Sequence, residues 1–181
     1  MLKHGILGLL NYYDMTGYEI MEVFRDSLNF FWNAQTSQIY RELQGLEKKG
    51  WVGKTVVPQQ GKPDKNVFSI TPEGKEELIR WLSEDEFRII SRIPILMKVF
   101  FMGERSREEN IRYFKRFIEE HERFLEGLTP VPEYIQTYSA YLDDKEKALY
   151  WQMTVDYGRR NMQMCIEWAK NCIKRLEETN E

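Results

Sequence analysis

Between Phe31 and Trp51 the chain reads FWNAQTSQIYRELQGLEKKGW. Ile39, Leu43 and Leu46 recur at helical spacing and predict an apolar face, while Ser37, Arg41, Gln44 and Lys48 recur at the same spacing on the opposite face. That second face carries more hydrogen-bonding groups than solubility requires, so it reads as a surface with a use. Two helices are predicted before it. Leu2, Ile6, Leu9 and Leu10 give the first a buried side over residues 2–12. Thr16 with Glu19 forms a capping box that starts the second near Gly17, and it runs to about Leu28. Asn33 is the expected N-cap of the third helix and Gly50 its stop.

After Gly50 the period changes. WVGKTVV and NVFSI are strand-like, and the PQQGKPDK between them is turn chemistry with charge, which predicts a β-hairpin with a long lysine-bearing tip. Thr71 followed by Pro72 starts a fourth helix, expected to reach Ser83. The order of helix, helix, helix, strand, strand, helix is that of a winged helix-turn-helix. In that fold the third helix enters a major groove and the hairpin is the wing.

From Glu86 onward the pattern is helical. Ser106 with Glu109 forms another capping box, and Ile111, Phe114, Ile118, His121, Leu125 and Leu128 make an apolar stripe. The prolines of LTPVPEY interrupt it, and a last long helix is expected from about Asp144 to Glu177. Along it Ala148, Trp151, Val155, Gly158, Met162, Cys165, Ala169, Cys172 and Leu176 form a continuous seam that wants a partner helix. Two partners stay open: the preceding helix of the same chain, or a second copy. The expected fold is therefore mostly α. Residues 1–85 form a winged helix-turn-helix of three helices, a hairpin wing and a fourth helix, and residues 86–181 form an all-α domain that is open to dimerisation and effector binding.

Composition narrows the function. A net charge of −3 argues against a protein that coats nucleic acid indiscriminately, yet residues 35–65 carry six basic side chains against three acidic ones. Positive potential is thus concentrated where the third helix and the hairpin lie. Arg92, Pro94 and Lys98 break the one stretch apolar enough to suggest a membrane span, and the N-terminal MLKHGILGLLNYYDM lacks the pattern of a signal peptide, so a cytoplasmic protein is expected. Cys165 and Cys172 stand about two turns apart on one helix, too far for a disulfide within it. His4 and His121 stand away from both, so no metal site and no cofactor are expected. No nucleophile with its base and no phosphate cradle is spaced for catalysis, and an enzyme is not expected.

The segments TGYEI, FWNAQTSQIYRELQGLEKKGWV and GKPDKNVFSITPEGKEEL resemble the PadR family of transcriptional regulators over residues 1–82. The second half, with ILMKVFF and YGRRNMQMCIEW, is similar to the longer members, whose C-terminal helices form a dimer and are related to virulence-activator regulators. The resemblance implies a homodimer that binds a palindromic double-stranded DNA operator and represses until a small molecule intervenes. By position it assigns Ser37, Gln38, Tyr40 and Arg41 to the DNA-facing surface and Gly61, Lys62, Pro63 and Lys65 to the wing tip. Phe68 stands where many relatives have tyrosine.

Chemistry gives these residues matching roles. The Gln38 amide suits a base edge, Arg41 a base or a phosphate, and Gln44 lies on the same face. Lys62 and Lys65 suit phosphates, on a turn shaped by Gly61 and Pro63. Tyr40 stays open between a DNA contact and the edge of the core, and Trp32, Trp51 and Trp81 are expected in the core. The alternative function is a winged-helix module that docks on another protein without sequence-specific DNA binding. Such faces carry apolar anchors, whereas this one is polar. For the effector, a planar and mostly apolar compound is expected near Phe100, Phe101, Trp151 and Tyr157, with Arg159 or Arg160 available to an acid.

Overall fold

The computed structural model describes residues 1–59, 61, 64–85, 92–140 and 146–178. The chain divides into two compact units, Met1–Glu86 with Tyr134–Lys145 and Phe87–Glu133 with Glu146–Glu181. The first holds α1 (Leu2–Leu10), β1 (Met15–Thr16), α2 (Gly17–Val23), α3 (Thr36–Lys48), β2 (Val52–Val57), β3 (Lys65–Ile70) and α4 (Pro72–Leu82). A π-helical turn, Phe24–Leu28, extends α2.

Local signals explain most helix ends. The Thr16 N–H donates to Glu19 Oε2 at 2.7 Å and the Glu19 N–H donates back to Thr16 Oγ1 at 3.2 Å, the reciprocal bonds of a capping box. α3 leaves through Gly50 at φ +71°. There the Trp51 N–H reaches the Leu46 carbonyl at 3.0 Å and the Gly50 N–H reaches Glu47 at 3.0 Å, a Schellman ending that only a residue tolerant of the left-handed region supplies cheaply. Thr71 Oγ1 accepts from the Gly74 N–H at 3.1 Å and donates to the Gly50 carbonyl at 2.7 Å, so the cap of α4 also holds the turn after α3. The start of α3 differs from expectation. Its N-cap is Gln35, not Asn33, because Gln38 folds back onto the Gln35 N–H and completes the cap two residues later.

β2 and β3 pair antiparallel from Val52 opposite Ile70 to Val57 opposite Lys65. A third strand, β1, adds Met15 opposite Phe68 and Thr16 opposite Val67, giving the sheet order β1-β3-β2. Two residues carry no period, so this strand left no trace in the hydrophobic pattern. Beneath the sheet, Ile6, Leu7, Leu10, Met15, Ile20, Leu43 and Leu46 are each at most 2% exposed. Burial of each such side chain contributes about 1.5–3 kcal/mol, which fixes the inner face of α3 against α1 and the sheet.

One ionic cluster ties α1 to α4. Glu77 accepts from His4 Nε2 and Lys3 Nζ, both at 3.0 Å, and from Arg80 Nη2 at 2.7 Å. The His4 bond first, then those from Arg80 and Lys3, hold its carboxyl down at about 2. Burial, with the Lys3 charge beside it, keeps His4 below its ordinary value. The ring is therefore neutral, and because a carboxylate only accepts, the proton sits on Nε2. That leaves Nδ1 bare and buried with no partner among the described residues. The ring stacks on Trp81 at 4.5 Å. Trp51 and Trp81 pack against the core as expected. Trp32 does not: it is 37% exposed, on the loop ahead of α3, where its backbone is bonded to Leu28 and its side chain points outward.

The second unit contains α5 (Pro94–Phe100), a 3-10 turn at Met102–Glu104, α6 (Arg107–Gly127) and α8 (Lys147–Glu178). The expected start of the last helix near Asp144 lies outside the described residues. α6 and α8 run antiparallel. Trp168 meets Phe114 and Phe117 edge-on at 5.7 and 5.9 Å, and Arg159 Nη2 donates to the Leu128 carbonyl at 3.5 Å. The α8 seam is covered in part within the chain: Val155 is 4% exposed, Ala169 0% and Gly158 buried, while Trp151, Met162, Cys165, Cys172 and Leu176 are half-buried. Between these helices stands α7 (Val131–Ser139), where only a proline break was expected. Pro132 falls in its first turn, where a missing N–H costs nothing. From Tyr134 onward this helix belongs to the first unit, and Tyr138 packs on that unit's core, so the two units are not separated by a single cut at residue 85. No helix among the described residues is long and apolar enough to cross a membrane.

Candidate nucleic-acid interface

The two faces of α3 are sharply different. Ile39, Leu43 and Leu46 are at most 2% exposed, while Ser37, Arg41, Gln44 and Lys48 all face solvent. The core therefore orients the helix and leaves its polar side outward. Gln38 is half-buried, and its Oε1 accepts from the Gln35 N–H at 3.0 Å. A backbone N–H bonds only to an acceptor, so this contact fixes which end of the amide is oxygen. Its NH₂ donors remain for an outside partner, while its acceptor serves the cap.

The hairpin stands beside α3 and encloses with it a groove of about 450 Å³. Tyr40 and Gln44 line the groove from α3, Lys54, Lys65 and Asn66 from the hairpin, and Glu19 and Glu47 bring negative charge to it. The Thr16 backbone and hydroxyl, with the charge of Lys65, hold Glu19 below the usual carboxylate range. The groove is therefore mixed in sign, with both lysines on the wing side. Tyr40, 42% exposed, rests on the start of α2 and borders the groove instead of the core.

Lys54 and Asn66 were not singled out from the sequence as site residues. Lys54 was visible as part of the basic excess, but its place opposite Phe68 follows only from strand pairing. Lys49, counted in the same excess, sits over the Trp51 ring at 4.7 Å. On the wing tip Gly61 takes φ +72°, a turn conformation suited to glycine. Lys62 and Pro63 lie outside the described residues.

The residues expected to meet an effector all belong to the second unit. Phe100, Phe101 and Tyr157 are 82%, 61% and 70% exposed, and Trp151 is half-buried. Phe100 and Phe101 form an edge-on ring pair at 5.1 Å. Arg160 is paired with Asp156 at 2.7 Å, and Arg159 turns to the Leu128 carbonyl.

Residues 6–80 match the transcriptional regulator PadR-like family, and residues 91–177 match the virulence activator alpha C-term family. The chain is 33% identical over 129 residues to the negative transcriptional regulator PadR of Bacillus subtilis, a match spanning 71% of both chains. It is 43% identical over 83 residues to the probable transcriptional regulator Rv1176c of Mycobacterium tuberculosis, covering 46% of this chain and 44% of that one. Bacillus subtilis PadR in complex with operator DNA superposes with a TM-score of 0.82 at 25% identity, over 97% of this chain and 98% of that chain. The Vibrio cholerae virulence activator AphA shares the fold with a TM-score of 0.76 at 24% identity, over 99% of both chains. With a winged unit matching one family model, a helical unit matching the other, and a relative of this identity along most of its length, the chain belongs to the PadR-like family of transcriptional regulators.

Proposed function

We propose that this chain is a homodimeric repressor that reads a palindromic operator with α3 in the major groove and holds the flanking phosphates with its hairpin. The observation that carries this reading is the outer face of α3. It is polar and exposed, and lies beside a groove with lysines on the wing side. On this reading Ser37, Gln38 and Arg41 contact bases or nearby phosphates. Tyr40, Gln44, Lys54 and Lys65 follow the backbone, with Lys62 on a tip shaped by Gly61 and Pro63. The relative solved with operator DNA supports the choice of partner. A protein-docking face would carry apolar anchors at these positions.

For the dimer, Val155, Gly158 and Ala169 of the α8 seam are buried in their own chain, so the contact falls on the half-buried seam residues such as Met162 and Cys165 and on the apolar side chains left outside. Tyr150, Met153, Tyr157 and Met164 recur along the other side of α8, each at least 53% exposed, and Met97 and Phe100 stand out from α5. Release from DNA is assigned to a planar, mostly apolar compound at Phe100, Phe101, Trp151 and Tyr157. The relative solved with p-coumaric acid supports a phenolic acid as the first compound to try. A ligand acts as a switch only if it prefers one spacing of the two recognition helices.

Duplex binding measured over a salt series tests the DNA reading. A steep logarithmic salt dependence is expected, and Lys54→Ala with Lys65→Ala should shallow it by about one phosphate contact per lysine. An unchanged slope in the double variant would remove the wing from the contact. Absence of salt-dependent duplex binding by the parent would favour the protein-docking module.

A further inference from the structure

Gly17 has no backbone reason to be glycine. Its φ lies outside the left-handed region, and it occupies the first position of α2, where glycine is a weaker helix former than alanine. What it lacks is room. A Cβ at this position would lie 2.6 Å from Tyr40 Cε1, 3.0 Å from Cζ and 3.1 Å from the hydroxyl oxygen, whereas ordinary contact begins near 3.4 Å. Tyr40 supplies all three nearest atoms, so the missing side chain at Gly17 makes room first for that ring.

The ring is not core. Tyr40 is 42% exposed, on the side of α3 that borders the groove with Gln44, Lys54 and Lys65. The seat therefore covers part of the ring and leaves the rest on the groove side, open to a partner. We propose that Gly17 is a positioning residue for DNA binding. By offering no side chain, it lets Tyr40 lie against the start of α2, with its hydroxyl held at the groove wall to donate to a phosphate passing between α3 and the hairpin. This inference rests on the DNA reading above. A neutral donor suits the position, because Glu19 and Glu47 face the same groove and leave lysine charge partly offset there.

The test is a double-mutant cycle on the full chain. It uses a duplex selected by the protein from a random library and a random duplex of equal length as reference. Because the Tyr40 ring can swing into water, Gly17→Ala is expected to fold with nearly parental melting and to bind the selected duplex about tenfold more weakly. Tyr40→Phe should lose a similar factor, the size of one hydrogen bond to a charged group. In a Tyr40→Ala background, Gly17→Ala should add less than about a twofold change, since no ring is left to displace. Gly8→Ala, a helical glycine with open space around it, is the control and should bind like the parent. Parental binding by Gly17→Ala or by Tyr40→Phe would overturn the inference while leaving the DNA reading intact. So would an equal loss in the Tyr40→Ala background, or a melting loss that Tyr40→Ala does not relieve. A parent chain that binds no duplex would overturn both.

Discussion

α3 and α8 are both amphipathic, and each buries one face within its own unit. They differ on the other side. Behind Ile39, Leu43 and Leu46, α3 shows Ser37, Arg41, Gln44 and Lys48, whereas behind Val155 and Ala169, α8 shows Tyr150, Met153, Tyr157 and Met164. A buried face tells only how a helix is held. The outward face tells what it meets: hydrogen-bonding groups with moderate charge suit a hydrated, anionic groove, while aromatic and thioether side chains suit a surface that excludes water.

The largest expected effect sets the two faces of α8 against each other. Met153→Glu with Tyr157→Glu, both on the exposed side, should leave the chain folded, lower melting only by the loss of association, and convert the proposed dimer to a monomer in sedimentation. Operator affinity should then fall by about a hundredfold or more, because the second half-site is lost. Val155→Glu, 4% exposed, should instead lower stability by about 3–5 kcal/mol by burying an unpaired charge. If the exposed pair unfolds the chain and Val155→Glu merely dissociates it, the assignment of the faces is reversed.

Acid should separate the two units. Glu77 titrates at about 2 instead of 4.5, and His4 below its ordinary 6.5, so in both cases the unfolded chain takes up the proton first. Stability of the winged unit should therefore fall as pH drops below 6.5, and again between about 4.5 and 2, and be regained on returning to neutral pH. The contact between α6 and α8 rests on Phe114, Phe117, Trp168 and Ala169, which do not titrate, and should outlast it. Hydrogen exchange followed by segment would show α1 and α4 opening before α6 and α8. Glu77→Ala should cost about 1–3 kcal/mol at neutral pH, because the buried His4 Nε2–H loses its acceptor, while the exposed Arg80 keeps Glu84.

A smaller effect tests what the outer face of α3 does. Gln38→Glu retains an acceptor for the Gln35 N–H but loses the NH₂ donors. Melting should stay within about 0.5 kcal/mol of the parent while discrimination among duplexes falls by about 1–3 kcal/mol. Gln38→Ala should lose the cap as well, at a further cost of about 1 kcal/mol in stability. Binding of Gln38→Glu with unchanged sequence preference would limit this residue to capping.

What the sequence determined by itself is whatever spacing along one chain segment decides. The two faces of α3, the Thr16, Thr71 and Ser106 caps, the glycine exit at Gly50 and the two hairpin strands all follow from residues within a turn or two of each other. The polar face that marks the candidate interface was legible for the same reason. Tertiary structure alone decided that Ala169 of the α8 seam packs on Phe114, that Trp32 is left exposed, and that a two-residue strand joins the sheet. It also brought Glu77 to His4 across 73 positions, and set Tyr40 on Gly17 and Lys54 beside the groove. Those outcomes depend on pairs of residues far apart in the chain, whose meeting is set by competition among whole packed surfaces. A local pattern records which face of an element is apolar, but the identity of its neighbour is written only in the three-dimensional fit.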